Sequence, residues 1–235
     1  MDLKSKIILI SGPTASGKSK FALKLAKKID GEIINADSMQ IFKEIKILNA
    51  RPRVKDRLDI KHHLYGFLSV KKNFSVGEWL KKCITKISEI KKRKHVPIIV
   101  GGTGLYFKSL VDGLAKIPNI SKKNKDKARN LQKKIGQKNF YKRLIKLDPI
   151  CKNNININDR NRSIRAYEVY VQTNKSLNTW FKNTKIHFQN REFEKIFIDI
   201  SRDQVVKSLS NRVDKMIKAG AIQEVKRFNK LKVKN

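Results

Sequence analysis

Hydrophobic residues in the first half of the chain recur as short unbroken runs, each followed by a stretch with helical spacing. Ile7-Ile8-Leu9-Ile10, within residues 6–11, predicts a buried strand, and residues 18–29 alternate as an amphipathic helix does. Residues 32–36 form a second apolar run that stops at Asp37-Ser38. Ser75, with Glu78 three residues later, has the form of a capping box opening a helix through Trp79, Ile84, Ile87 and Ile90. Pro97-Ile98-Ile99-Val100 reads as a third buried strand, followed by Gly101-Gly102-Thr103-Gly104 and a helix to about Leu110. Strands alternating with helices predict an α/β fold in which a parallel sheet carries helices on both faces. Functional groups in such sheets lie beyond the carboxyl ends of the strands.

The pattern changes after Gly113. Residues 118–190 read as amphipathic helices dense in Lys, Arg and Asn, with no convincing strand until Ile196-Phe197-Ile198-Asp199-Ile200. Ile164, Tyr167, Val169, Tyr170 and Val171 read as helix core. This predicts three parts: an α/β core over 1–117, a helical insertion over 118–190, and a return to the core over 191–235. A last long helix begins near Asp203, carries Val205, Leu209, Val213, Met216 and Ile217 at helical spacing, and ends at Ala219-Gly220. A shorter helix reaches Phe228, and Lys234-Asn235 closes a polar run.

Between the first strand and first helix lies Gly12-Pro13-Thr14-Ala15-Ser16-Gly17-Lys18-Ser19, a G-x-x-x-x-G-K-S loop. Strand, glycine loop and helix in this order predict a polyphosphate cradle of the P-loop type. Backbone N–H groups would converge on the anion at the helix N-terminus. Lys18 would reach the terminal phosphates and Ser19 would ligate Mg²⁺. Asp37 falls on the same sheet edge, where it could ligate a metal through water or act as general base. Thr103 offers a hydroxyl to that edge, though its neighbouring glycines fit a tight turn equally well. His62-His63 lacks a third ligand at metal spacing, and adjacent strand residues face opposite ways. A packed role is the better reading. Arg162 and Arg165, one helical turn apart with Arg160 nearby, suit a phosphodiester backbone. Arg212 could clamp a diphosphate or serve as a surface ion partner.

The chain has 235 residues, enough for a full core, and no apolar run approaches a membrane span. Its N-terminal apolar run leads straight into the phosphate loop, unlike a signal peptide. Two cysteines, far apart, exclude a disulfide scaffold and point to the cytoplasm. The net charge of +35, from 55 Lys+Arg against 20 Asp+Glu, attracts polyanions. Lysine far outnumbers arginine, as AT-rich codon usage alone would produce, so charge by itself does not identify a nucleic-acid partner.

Several linked motifs together resemble one family over essentially the whole chain. The phosphate loop, Asp37-Ser38-Met39-Gln40, His62-His63-Leu64, Phe74-Ser75-Val76 and Gly101-Gly102-Thr103-Gly104-Leu105-Tyr106 have the order and spacing of the tRNA dimethylallyltransferases, or tRNA isopentenyltransferases. Asn158-Asp159-Arg160, followed by Arg162, Arg165, Ala166, Tyr167 and Glu168, resembles their helical-insertion signature, and the helix with Arg212 also matches. The resemblance implies transfer of a dimethylallyl group from dimethylallyl diphosphate to N6 of the adenosine 3′ of the tRNA anticodon. The loop would then hold a prenyl diphosphate rather than ATP, with Mg²⁺ on Ser19. It assigns Lys18 and Arg212 to the departing diphosphate, Asp37 to the adenine amine, and Thr103 to the flipped adenosine. Residues 37–40, Thr103, Lys125, and Asn161-Arg162-Ser163-Ile164-Arg165 fall at tRNA-contacting positions. The partners expected are the anticodon stem-loop and dimethylallyl diphosphate, with no membrane and a monomeric state. The family's Gly-Thr-Ala-Lys-Pro reads here Leu48-Asn49-Ala50-Arg51-Pro52. Members usually continue beyond the helix ending near Phe228, so a further C-terminal segment is expected to be missing. Competing readings are an adenylate isopentenyltransferase using free nucleotide, a small P-loop kinase, and an inactive RNA-binding member.

Overall fold

The computed structural model describes residues 3–57, 59–182 and 184–233, so the expected polar end at Lys234-Asn235 lies outside the described residues. Chain contacts divide it into two compact units, one running to Val111 and resuming at His187, the other Asp112–Ile186.

The first unit is built on five parallel strands: β1 (Ile7–Ser11), β2 (Gly31–Asn35), β3 (His62–His63), β4 (Val96–Val100) and the strand Phe193–Phe197. With the last strand labelled β7, the order across the sheet is β3-β2-β4-β1-β7. Ile8 stands opposite Ile98, and Ile33 opposite the same Ile98 from the other side. Sheets covered on both faces require strands apolar throughout, which is why β1, β2 and β4 are visible as unbroken runs. Helix α1 (Lys18–Ile29) covers one face, burying Ala22 and Ala26 against Ile8, Ile10, Ile33 and Ile98. Helices α2 (Val76–Lys92) and α3 (Gly104–Val111) pack together, and α2 buries Trp79, Leu80, Cys83, Ile87 and Ile90. The capping box at Ser75 forms, with Glu78 N–H donating to Ser75 Oγ and Ser75 N–H to Glu78 Oε2. The charged Glu32 is buried within β2 and receives two hydrogen bonds from Arg93, at 3.1 and 2.8 Å, and a 2.6 Å contact from His63 Nε2.

The last strand lies earlier than the run at 196–200 predicts. It is an edge strand with the burial alternation of one, and Glu194 and Lys195 interrupt its apolar character. The chain then leads into α7 (Arg202–Lys218), capped by Ser201, and α8 (Ala221–Asn229), entered through Gly220. The spacing in α7 does produce an amphipathic helix, yet none of its residues is buried among the described ones; Val213 is 52% and Ile217 50% exposed.

The second unit begins and ends earlier than the expected 118–190. Its ends are joined by a ribbon that the sequence hid: β5 (Leu114–Ala115) pairs antiparallel with β6 (Thr184–Lys185). Between them run α4 (Lys122–Leu147), interrupted at Gly136 (φ 75°, ψ 167°), α5 (Arg160–Thr173) and α6 (Leu177–Phe181). Ile164, Tyr167 and Val169 enter its core beside Phe140 and Leu144, whereas Tyr170 is half-buried and Val171 faces outward at 39% exposure. No helix among the described residues is long and apolar enough to cross a membrane.

Candidate active site

The carboxyl ends of β1, β2 and β4 deliver their loops to one cleft of about 1090 Å³. After Ser11 the backbone passes so close to the β7 side that a Cβ on Gly12 (φ 150°) would collide with the Ile198 carbonyl. The loop continues through Ala15 in the left-handed region (φ 64°) to Gly17 (φ 86°), which stands at the N-cap of α1. No side chain caps that helix and its first turn contains no acidic residue, so the positive end of its dipole is uncompensated. Lys18 Nζ donates to the carbonyls of Gly12, at 2.8 Å, and Pro13, and lies 3.5 Å from Ser16 Oγ. Burial lowers the Lys18 pKa; the Asp37 carboxylate opposes this and the Arg212 guanidinium adds to it. Lys18, Asp37 and Arg212 therefore share one electrostatic environment although 194 positions of sequence lie between the first and the last. Thr14, Ala15, Ser16, Gly17 and Ser19 also line the cleft.

Asp37 is half-buried and held by its own turn. Its N–H donates to Asn35 Oδ1 at 2.9 Å, and its Oδ1 accepts from Met39 N–H at 2.8 Å. A carboxylate has further acceptor capacity beyond that one bond. Thr103 Oγ1 accepts from Ser38 N–H at 2.9 Å and lies 3.3 Å from Ser38 Oγ, so its hydroxyl ties the β4 loop to the β2 loop. Gly101 has a single cause: a Cβ there would collide with the Ala36 backbone, which a tight turn alone does not require. Met39 is 53% exposed, and Gln40 lines the cleft.

Beneath this turn lies a support that sequence reasoning missed. Trp79 Nε1 donates to the Asn35 carbonyl at 2.9 Å, and its ring stacks on Tyr106 at 4.2 Å and 8°. Burial, then the Asp37 charge, pushes the Tyr106 hydroxyl up to about 12. Tyr65 and Arg57 also line the cleft and were likewise missed. Burial and Asp37 raise the Tyr65 pKa as well, and Arg57 Nε is buried without a hydrogen-bond partner among the described residues. The strand-end rule applied to His62-His63 would have found Tyr65, since β3 is parallel to the others. The two histidines themselves are engaged elsewhere, His62 with the Ile60 carbonyl and His63 with Glu32. Arg51, which also lines the cleft, lays its guanidinium against Gly66 and donates to the Phe42 carbonyl at 3.1 Å.

The nucleic-acid candidates of the second unit separate by exposure. Asn161 and Arg162 are exposed, Lys125 and Arg165 half-buried. Ser163 is fully buried, bonded to the Asp159 carbonyl at 2.7 Å, and Ile164 belongs to the core. Asn161, Arg165, Arg129 and Lys133 line a groove of about 720 Å³ whose floor holds Glu168. Burial raises the Glu168 pKa, opposed by Arg165, Arg129 and Lys125.

The profile of the IPP transferase family matches residues 40–235. A tRNA dimethylallyltransferase of Pelagibacter ubique (strain HTCC1062) is 56% identical over 234 residues, spanning all of this chain and 75% of that protein. One from Rickettsia massiliae (strain Mtu5) is 46% identical over 94% of this chain, which spans 61% of its length. Among solved structures, a eukaryotic dimethylallyltransferase acting on tRNA superposes with a TM-score of 0.82 at 29% identity, over 96% of this chain and 56% of that one. The full-length tRNA isopentenylpyrophosphate transferase of Bacillus halodurans gives 0.64 at 26% identity, over 98% and 72%. With a phosphate loop, a strand-end aspartate and these matches in agreement, the chain belongs to the IPP transferase family, that of the tRNA dimethylallyltransferases.

Proposed function

We propose that this chain transfers a dimethylallyl group from dimethylallyl diphosphate to N6 of the adenosine 3′-adjacent to the tRNA anticodon. The observation that carries the reading is the meeting of Lys18, Asp37 and Arg212 at one cleft beside an uncapped helix N-terminus. A phosphate loop paired with a carboxylate at the next strand end suits a reaction with an anionic leaving group and an acceptor that loses a proton.

The adenine amine attacks the allylic carbon, a C–N bond forms, and the C–O bond to diphosphate breaks with its electron pair going to the diphosphate. The loop N–H groups, Lys18 and Arg212 stabilise the charge that develops on the leaving oxygen. Asp37 orients the amine and takes its proton. Thr103 acts through Ser38, fixing the turn that presents Asp37. The target base must leave its stack to reach such a cleft, at a cost of a few kcal/mol repaid by contacts there. Ser19 and Asp37 supply oxygen donors in the same cleft, and no cluster of three metal-binding side chains exists among the described residues. That donor set fits Mg²⁺, a hard cation that takes oxygen ligands. Ser19 would hold the ion, which when bound supplies further charge neutralisation to the diphosphate. Lys125, Asn161, Arg162 and Arg165 would contact the tRNA.

Labelled dimethylallyl diphosphate with Mg²⁺ and unmodified tRNA, beside AMP and ATP, tests the reading. Label enters tRNA alone, and Asp37→Ala lowers kcat by at least the ~10²–10⁴ that a general base supplies while tRNA affinity stays within about twofold. Label in no acceptor sinks the enzyme reading, and label in AMP alone replaces it with a free-nucleotide transferase.

A further inference from the structure

Three consecutive backbone amides in the segment after β2 converge on one distant side chain. Lys46 N–H donates to Glu224 Oε1 at 2.7 Å, Ile47 N–H lies 3.0 Å from both carboxylate oxygens, and Leu48 N–H donates to Oε2 at 3.0 Å. Successive amides so arranged form an anion-binding concavity, filled here by the protein's own carboxylate. Glu224 is 5% exposed, on α8, with its N–H bonded to the Gly220 carbonyl. Burial acts to raise its pKa, but the Leu48, Lys46 and Ile47 amides and the Arg227 charge outweigh that and hold it below the usual carboxylate value.

The segment held in this way is continuous with the turn of Asp37. Asn49 is buried, and its Nδ2 donates to the carbonyls of Met39, at 2.9 Å, and Ile45, at 2.5 Å. Its Oδ1 accepts from Arg51 N–H at 3.1 Å, while Gln40 Nε2 donates to the Asn49 carbonyl at 2.9 Å. Met39 N–H in turn donates to Asp37 Oδ1. Hydrogen bonds joined by short stretches of backbone thus connect α8 through residues 46–49 to the carboxylate at the cleft.

We infer that Glu224 is a positioning residue, and Asn49 its relay, fixing the Asp37–Gln40 turn for the acceptor side of the reaction. The inference rests on the reading of Asp37 as the base. Glu224→Gln would set an amide N–H against backbone donors, breaking the latch with little change in size. Hydrogen exchange at the Lys46, Ile47 and Leu48 amides is expected to quicken in this variant; unchanged protection overturns the latch without reference to activity. In the transfer assay kcat is expected to fall by up to about a hundredfold, as small displacements remote from the chemistry do, with KM for dimethylallyl diphosphate little changed. Glu224→Gln and Asn49→Ala combined are expected to lose no more than the worse single variant. Additive losses, or a loss confined to KM for the diphosphate, overturn the positioning role. Where Glu224→Gln does not fold, Asn49→Ala carries the test, and an unchanged kcat overturns the inference. A wild-type protein without transfer activity defeats the functional reading instead, while exchange at the three amides still judges the latch.

Discussion

At the scale of single residues, Gly12 and Gly101, in two different loops, obey one constraint, the close passage of one backbone by another. Gly101 meets the Ala36 backbone and Gly12 the Ile198 carbonyl, whereas Gly102 has nothing within 4 Å of a built Cβ. Gly101→Ala is therefore expected to cost roughly 1–3 kcal/mol, the usual range for overpacking, because backbone rather than a flexible side chain must move. Gly102→Ala should stay within about 0.5 kcal/mol, as open surface positions do. Urea titrations of both check this; equal losses would show that the turn itself, not the contact, requires glycine. The sequence made these glycines visible but not their causes, since a tight turn and a close approach leave the same letters. Lys18, Asp37 and Thr103 were legible because each belongs to, or closes, the loop that follows an apolar run. Glu224 and Asn49 were not, because a carboxylate on a late helix carries no local sign that its partners are amides some 180 residues earlier.

At the scale of elements, what could be read depended on how each element is buried. β1, β2 and β4 are covered on both faces and stood out as unbroken runs; the edge strand β7 and the two-residue β5 and β6 did not, having too few buried positions to form a pattern. Helix α5 was legible as a helix, but its outward side was misjudged at Val171 and its inward side at Ser163. Within α5 the buried Glu168 faces the half-buried Arg165 at 3.6 Å and the more exposed Arg129 at 3.8 Å. Its pKa is raised because burial outweighs these charges. A carboxyl with a raised folded pKa binds its proton more tightly when folded, so its contribution favours folding at low pH and is lost as pH rises through the folded value. Glu168→Gln should accordingly raise Tm at pH 7 by a few degrees and leave it nearly unchanged below pH 4. A lower Tm at pH 7 would show that the arginine contacts outweigh burial. Glu224 has the opposite sign. Its depressed pKa stabilises the fold above the ordinary carboxylate value near 4.3 and is lost as pH falls below it, so Glu224→Gln should flatten the acid limb of the Tm profile.

At the scale of the whole molecule, the charge of +35 admits two origins, codon bias and a polyanionic partner. Salt dependence separates specific phosphate contacts from a diffuse field. A site that neutralises on the order of six phosphates of a single-stranded loop gives a slope of log K against log salt of about −4. Each lost contact reduces the magnitude by roughly 0.7. Arg162 is the sharpest probe: its side chain is 74% exposed and its ion pair with Asp159, at 3.3 Å, is a surface contact worth little to folding. Arg162→Ala is therefore expected to weaken tRNA binding several-fold, reduce the magnitude of the slope by about 0.7, and leave both Tm and the KM for dimethylallyl diphosphate unchanged. Titrating tRNA at several salt concentrations measures all of this on one preparation. A slope unaltered by Arg162→Ala would place the contacts elsewhere on the surface, and a wild-type affinity insensitive to salt would leave codon bias as the origin of the charge. Only the first pattern, a changed slope with the diphosphate KM held, assigns part of that charge to the tRNA.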